Sequence, residues 1–532
     1  MNRQIDGRPT AAQLAGWAAL LATILWLSLR GLGTFQVGAY QDDAHYLILA
    51  RSLALGDQYG LINWAGAPHE PKYPFGFPLL LAPVVWLFPH QPLAATVVPL
   101  AATLFNVSLV FWGWPLLSPS TSRWWGLGVA WLYGVSPMVV GQTRVVMTEP
   151  VFTTFALAAL LLTEACVSRP RRWLSIPLGV ALTCALFTRL IGVTLWLAVL
   201  ARVGTAVRRI GYTPVAGILL GGVVFLLLVL GLTSIELRHL LPRKYVTELQ
   251  TAGPPSAATE SPLDRALRVG STYAVSGLRG VLVPAGGGER EQALADRIGM
   301  HFLPPVFGAA IAALVVVGVW RALRTRALSP SALQFELIYL GALLAWPWVD
   351  DRYLYPVQPI LALELLLGLA VVGAAVRSRW ASIGARRSGG LEVVALWAVL
   401  VVLDVWKSAV VADTRSFTRD LRVGATWLRE HSDPEAIVMA RYPHSVYLYA
   451  ERKTAALTAR SADELDRALD EQRINYLLLG PELSWNADGS LADGETQKEL
   501  LPGIADMAAH GRLTEVYASP PHDKVHVYRV ER

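Results

Sequence analysis

Windows of about 20 mostly apolar residues, the length a helix needs to cross a bilayer core, recur along the first three quarters of the chain. About eleven are read. They run from Leu14 to Leu32, Leu93 to Leu116, Trp125 to Val140, Val151 to Val167, Trp173 to Phe187, Ile191 to Val207, Pro214 to Leu232, Phe302 to Leu323, Leu333 to Trp348, Tyr353 to Val376, and Leu391 to Val411. Composition agrees: 54% of residues are hydrophobic and only 16% charged, a balance foreign to water-soluble domains. The expected architecture is a polytopic α-helical membrane protein.

Orientation follows from the arginines, because short basic loops stay cytoplasmic. Arg3 and Arg8, Arg123, Arg169 with Arg171 and Arg172, Arg202 with Arg208 and Arg209, Arg321 with Arg324 and Arg326, and Arg377 with Arg379, Arg386 and Arg387 fall in every second connection. The N-terminus is therefore expected inside and, after an odd number of crossings, the C-terminus outside. The loop at Asp42, the turn from Arg144 to Pro150, Arg189, the stretch 233–301 and Asp350-Asp351-Arg352 then share the outer face. The net charge of +6 comes mainly from cytoplasmic arginines, so nucleic acid is not an expected partner. The first apolar run is long and lacks a small-residue cleavage site, and reads as a retained helix. Cys166 and Cys184 fall in expected spans near the cytoplasmic side, and no disulfide is expected.

Two domains are expected: a transmembrane unit, 1–411, with outer loops 33–91 and 233–301, and an extracytoplasmic α/β unit, 412–532. The first loop is rich in Tyr, Trp and Pro and opens with Tyr46, Ala50, Leu53 and Ala54 at helical spacing, the mark of a short interfacial helix. The second carries Leu237, Leu240, Leu241 and Tyr245 beside Arg238, Arg243 and Lys244, then Gly253-Pro254-Pro255 and Gly286-Gly287-Gly288, a composition suited to a mobile lid. Beyond Val411 the pattern alternates: helix Phe417 to Glu430, strand Ala436 to Ala440, a helix near Val446, an amphipathic helix Ala462 to Gln472, and strands at Ile474 to Gly480 and Val525 to Val530. It carries no Gly-rich phosphate loop and no metal-spaced cysteines.

The chemistry gathers where helices surface. Asp42 and Asp43 follow the first span; charges bordering hydrocarbon are costly and mark function, although a solvated helix cap is the bland reading. A carboxylate there suits proton removal from an attacking hydroxyl. Glu149, in Arg144-Val145-Val146-Met147-Thr148-Glu149-Pro150, is a second acid on that side, or a cap for the next helix. Lys72 lies in the stiff, proline-flanked run Lys72-Tyr73-Pro74-Phe75-Gly76, where it can meet a phosphate or snorkel to headgroups. Arg352, before Tyr353, offers a planar fork for a lipid phosphate, or ordinary anchoring. Arg189 raises the same question. His45 and His69 with Asp42, Asp43 and Glu70 form a weak metal-ligand pattern, and the chemistry can proceed without a cation.

These residues resemble the GT-C superfamily of integral-membrane glycosyltransferases, in particular its branch of protein O-mannosyltransferases and lipid A aminoarabinose transferases. Asp42-Asp43-Ala44-His45-Tyr46 is similar to the family's start of the first outer loop, and Lys72-Tyr73-Pro74-Phe75-Gly76 to its Lys-Pro-Pro or Tyr-Pro-Pro-Gly element. Thr148-Glu149-Pro150 and Arg352-Tyr353-Leu354-Tyr355-Pro356 complete the likeness, which covers roughly residues 10–410. Asp43 stands where Glu is usual and Phe75 replaces the second proline, which leaves Asp42 and Asp43 both open as the base.

The resemblance implies a polyprenyl-phosphate-linked sugar as donor and inverting transfer to a hydroxyl of a lipid, glycan or protein acceptor, at the periplasmic face of a bacterial inner membrane. It implies Asp42 or Asp43 as base, Glu149 as second acid, and Lys72 and Arg352 with Tyr353 on the departing phosphate. His45, Tyr46, Tyr73, Arg144 and Arg189 are expected within reach of substrate. Neither cofactor nor metal is expected, although a divalent cation remains compatible. Two alternatives compete. A flippase of polyprenyl-linked glycans would carry paired Gly/Pro-broken helices in matching halves, which the spans lack. A receptor would depend wholly on 412–532.

Overall fold

The computed structural model describes residues 8–33, 37–38, 40–57, 59–69, 72–168, 172–233, 235, 261–283, 303–381, 391–409, 418–480, 483–485, 491–493, 495–519 and 525–532. Of the expected lid, only 233, 235 and 261–283 are described; Leu237 to Lys244, the Gly253-Pro254-Pro255 run and the Gly286 to Gly288 run lie outside, as do Glu70 and the expected domain boundary.

Each expected apolar window coincides with helix. α1 (Ala11–Arg30) starts on a capping box, Thr10 Oγ1 accepting from the Gln13 N–H while Gln13 accepts from the Thr10 N–H. α2 (Asp42–Ala54) and α3 (Gly76–Leu87) fill the first loop. Then follow α4 (Val97–Leu117), α5 (Arg123–Val135), α6 (Pro137–Gln142), α7 (Glu149–Ser168), α8 (Ser175–Thr188), α9 (Val193–Ile210) and α10 (Thr213–Leu232). After α11 (Pro262–Thr272) come α12 (Leu303–Thr325), α13 (Pro330–Ala345), α14 (Gln358–Ala381) and α15 (Leu391–Ala409).

Among the described residues, seven helices are long and apolar enough to cross a membrane: α1, α4, α7, α9, α10, α12 and α14, some extended by a short 3₁₀ turn. This is a multi-pass membrane protein. The expected count of eleven is not reached by that measure. The third window breaks because Ser136, preceding Pro137, adopts the extended conformation a following proline demands, so the run divides into α5 and α6. α13 stops at Ala345 for the same reason, Trp346 being extended before Pro347. α8 is a 14-residue helix, and α15 carries Glu392, Asp404 and Lys407 within its 19 residues.

Helices pack closely where glycines remove side chains. A Cβ at Gly318 would strike the Glu364 carbonyl and one at Gly368 the Leu314 carbonyl, so α12 and α14 meet backbone to backbone. Most of the main apolar core lies among α4, α5, α7, α8, α9, α13 and α14, with Val107, Tyr133, Phe152, Leu182, Leu195, Phe335 and Tyr355 buried in it. A second core, including Tyr46, Tyr59, Tyr73, Phe75, Phe77 and Phe187, sits beneath the first loop.

The C-terminal region forms a five-stranded sheet ordered β2-β1-β3-β7-β6. Its elements are α16 (Thr418–His431), β1 (Ile437–Ala440), α17 (Pro443–Ala450), β2 (Lys453–Ala456), α18 (Ala462–Glu471), β3 (Tyr476–Leu479), a small hairpin β4 (Leu483–Trp485) and β5 (Leu491–Asp493), α19 (Glu495–Ala509), β6 (Leu513–Ala518) and β7 (His526–Val530). β1 runs parallel to β2 and β3, while β7 is antiparallel to β3 and β6. Alternate residues of β3 serve two cores: Leu477 and Leu479 face Leu465 and Ile504, while Leu478 faces Leu421 and Val446.

This sheet-bearing region rests on the first loop. The Thr454 N–H donates to the Asn63 carbonyl (2.7 Å), Lys453 Nζ to the Ile62 carbonyl (2.6 Å) and the Tyr449 hydroxyl to the Val37 carbonyl (2.8 Å).

Candidate active site

Three chain segments bring their charges to one end of the helical bundle. α2 opens with Asp42 and Asp43, where the free N–H groups of a helix start favour carboxylates. α7 opens with Glu149. Arg352 lies in a 3₁₀ turn, Asp351–Val357, whose cap is Asp350: Oδ1 of Asp350 accepts the Arg352 N–H at 3.0 Å.

The guanidinium of Arg352 is shared. Its Nε lies 2.7 Å from Asp350 Oδ2 and 3.8 Å from Glu149 Oε1, and its Nη2 lies 3.4 Å from Asp42 Oδ2. Glu149, 1% exposed, also pairs with Arg189 Nη1 at 2.6 Å. Neither Arg352 Nε nor Arg189 Nη1 makes a well-aligned hydrogen bond, so these contacts are ion pairs without directional saturation. The Tyr353 ring completes the cluster, with the Arg189 guanidinium 5.5 Å and that of Arg352 5.4 Å from its centroid.

Asp42 has a second partner. The Tyr73 hydroxyl donates to its Oδ1 at 2.6 Å, and Lys72 Nζ lies 5.4 Å from the centroid of that same ring. The Lys72 segment is held from below, because Tyr59 donates its hydroxyl to the Tyr73 carbonyl (2.9 Å) and Phe75 stacks on Phe187 at 4.7 Å. Gly76 lies so close to the Phe187 carbonyl and the Thr188 N–H that a side chain would not fit, which docks this segment against the end of α8, next to Arg189. Tyr46 packs edge-on against Tyr73 and Phe77. His45 stands one turn after Asp42, 5.1 Å from the Tyr73 ring and stacked at 3.6 Å on His444 of α17.

Not every expected residue joins this group. Asp43 is fully buried, its Oδ2 accepting the Gly38 N–H (2.6 Å) and its Oδ1 the Ala44 N–H (3.0 Å). Burial pushes its carboxyl up to about 7 against those hydrogen bonds. It therefore holds the loop that precedes α2 and makes no contact with Arg352. Arg144, expected within reach of substrate, also stands apart from this cluster: its Nη2 donates to the Leu27 carbonyl (2.7 Å) and the Ser408 carbonyl (3.1 Å), near the C-terminal ends of α1 and α15. Carbonyls in the last turn of a helix attract a cation. Among the described residues no three His, Cys, Asp or Glu side chains converge as a metal site.

Two contributors carry no motif. Asp350 binds Arg352 most closely of the three carboxylates, and adjacency was its only signal. His444 reaches the site from the C-terminal region, accepting from Trp64 Nε1 at 3.4 Å. Burial, with His45 beside it, pushes its imidazole down to about 2, so it is neutral.

No known family model matches the chain, nor does any curated protein. Solved structures do. ArnT from Cupriavidus metallidurans, bound to undecaprenyl phosphate, superposes with a TM-score of 0.55 at 14% identity, covering 97% of this chain and 98% of that one. The archaeal oligosaccharyltransferase AglB from Archaeoglobus fulgidus, in complex with an inhibitory peptide and a dolichol-phosphate, gives 0.52 at 11% identity, over 92% and 74%. The A. fulgidus oligosaccharyltransferase tethered to an acceptor peptide gives 0.54 at 13%, over 91% and 74%. Over nearly its whole length the chain has the GT-C fold of integral-membrane glycosyltransferases.

Proposed function

We propose that this protein transfers a sugar from a polyprenyl-phosphate donor to an acceptor hydroxyl, with inversion, at the extracytoplasmic face of a bacterial inner membrane. The observation that carries the reading is Arg352 joining Asp42 and Glu149 while Lys72 lies over the ring that hydrogen-bonds Asp42. A base and two cations are thereby gathered in one cluster, as transfer from a phosphate leaving group requires. ArnT is solved with undecaprenyl phosphate and AglB with a dolichol-phosphate, which supports a lipid-linked donor on this fold.

In this mechanism Asp42 accepts the acceptor's hydroxyl proton as its oxygen bonds to the anomeric carbon from the face opposite the phosphate. The bond from the anomeric carbon to the phosphate oxygen breaks, and the developing charge falls on Arg352 and Lys72. Tyr73 fixes the rotamer of Asp42, leaving Oδ2 to exchange Arg352 for the acceptor. Glu149 acts through the two arginines, holding Arg189 and Arg352 against each other's repulsion. The space between Asp42 and Glu149 is taken by a guanidinium, the wrong chemistry for a divalent cation, so we propose metal-independent transfer. Acceptor identity, whether lipid, glycan or protein, is left to the assay.

The test uses full-length protein in nanodiscs with a radiolabelled polyprenyl-phosphate sugar and a panel of lipid, glycan and peptide acceptors. Labelled product should form with wild type in the presence of EDTA and not with Asp42→Asn. Leaflet-to-leaflet flux of intact donor in proteoliposomes, without covalent product, would instead indicate a flippase.

A further inference from the structure

We infer that the C-terminal α/β region is a positioning part of the active site: α17 sets the position of Asp42 from both sides, through Ser445 on the Gly38 loop and His444 on His45. The inference rests on Asp42 being the base.

The upstream side is a relay through one residue. Ser445 Oγ donates to the Gly38 carbonyl at 2.7 Å, and the Gly38 N–H donates to Asp43 Oδ2 at 2.6 Å. Gly38 is thus strung between α17 and the first turn of α2, whose neighbouring residue is Asp42. Only glycine suits this position: its φ is +100°, and a Cβ would lie 3.2 Å from both Cβ and Oγ of Ser445. One helical turn beyond Ser445, the Tyr449 hydroxyl donates to the Val37 carbonyl at 2.8 Å. Two side chains on one face of α17 therefore grip two successive carbonyls of the loop that leads into Asp42.

The downstream side is aromatic. The His444 ring stacks on His45 with centroids 3.6 Å apart, and His45 Nδ1 lies 2.9 Å from the Gln41 carbonyl, immediately before Asp42. His45 in turn lies against Tyr73, the ring that donates to Asp42. His444 is itself braced by the Trp64 indole. From one helix, Tyr449, Ser445 and His444 thus reach residues 37, 38 and 45, which bracket Asp42, while Lys453 and Thr454 hold the loop farther on, at Ile62 and Asn63. Misplacing a reacting group by about 1 Å costs on the order of 100-fold in rate, so this bracket sets kcat rather than donor binding.

The experiment compares wild-type full-length protein with His444→Ala/Ser445→Ala, and with Ser445→Ala/Tyr449→Phe, which removes only two hydroxyls and opens no cavity. Both should lose about 10- to 100-fold in kcat while KM for the polyprenyl-phosphate sugar stays within about twofold. His444→Phe, which keeps a stacking ring, should stay near wild type. Unchanged kcat in monodisperse Ser445→Ala/Tyr449→Phe protein would overturn the inference while leaving the proposed function intact. So would a loss confined to donor KM. Wild-type protein that makes no product with any acceptor would overturn both readings.

Discussion

The two ends of α7 carry two buried glutamates with opposite lives. Glu164, fifteen residues and about 22 Å along the helix from Glu149, is saturated: Arg202 donates to it twice, from Nε and Nη2 at 2.9 Å each, and the Ser331 N–H adds a third bond at 3.1 Å. Glu149 accepts one long hydrogen bond, from Thr148 Oγ1 at 3.4 Å, and faces two arginines, one of them shared with Asp42 and Asp350; the contacts of Arg189 Nη1 and Arg352 Nε to it are not aligned as hydrogen bonds. A bidentate pair with a backbone donor is a finished joint that ties α7, α9 and α13 together. An arginine divided among three carboxylates can give one up when a phosphate arrives. Burial of charge alone does not distinguish architecture from site; the completeness of the pairing does.

The sharpest way to break this comparison is Asp42→Asn, which keeps the shape and removes the base. It should lower kcat by about 1,000-fold or more, at the upper part of what a positioned base contributes, with thermal stability in detergent nearly unchanged. Arg352→Gln comes next. It removes the shared cation and should cost about 100- to 1,000-fold in kcat, the range for one preorganised group facing developing charge. Donor affinity measured with undecaprenyl phosphate alone should weaken as well. If donor binding and turnover both survived, Arg352 would belong with Arg202 as a structural partner.

Glu164→Gln reverses the pattern. Stripping Arg202 of its bidentate partner should destabilise the fold by about 3–5 kcal/mol, read as a lowered midpoint of thermal unfolding. Turnover per folded molecule should remain that of wild type, because nothing near Asp42 changes. A selective loss of kcat would show that α7 transmits strain along its length.

Much of this was legible because hydrocarbon makes charge conspicuous. Asp42, Lys72, Glu149, Arg189 and Arg352 stand out beside apolar runs, and the structure gathers all of them around Tyr73 and Tyr353. Arg144 looked the same in the sequence. Whether an arginine at a helix end meets substrate or meets the last-turn carbonyls of α1 and α15 depends on which ends the fold brings together, and no local pattern encodes that. His444 and Ser445 were invisible for a related reason, since their partners lie in the first loop, at the opposite end of the chain. The unforeseen α3 is a 12-residue apolar helix, shorter than any window that signals a span. The unforeseen β2, Lys-Thr-Ala-Ala, has only one β-branched residue and owes its conformation to β1 beside it. The break at Ser136-Pro137, by contrast, was written in the proline.

Asp43 gives a smaller effect with a definite sign. Burial raises its carboxyl from the ordinary 3.8 to about 7, so the folded protein holds this proton more tightly than the unfolded chain. The stabilisation is complete below about pH 4 and is lost as pH rises through 7. Thermal midpoints of wild type should therefore fall across that interval, and those of Asp43→Asn should fall less. The opposite slope would mean that the N–H groups of Gly38 and Ala44 outweigh desolvation, making Asp43 a permanent anion.

Arg144→Gln tests the mildest difference, that between two arginines close to the start of α7 and the end of α8. The Leu27 and Ser408 carbonyls would lose a charged donor, a loss of about 1.5–3 kcal/mol for hydrogen bonds to a charged group. Gln is shorter and can reach one carbonyl at best, so the ends of α1 and α15 should loosen together. Arg144 Nη2 donates to carbonyls, whereas Arg189 faces Glu149. Turnover and donor KM should therefore stay within about twofold of wild type in Arg144→Gln, while Arg189→Gln leaves Glu149 to Arg352 alone and changes both. A kinetic defect in Arg144→Gln equal to that of Arg189→Gln would place the first arginine back in the site and erase the distinction between a cap and a ligand.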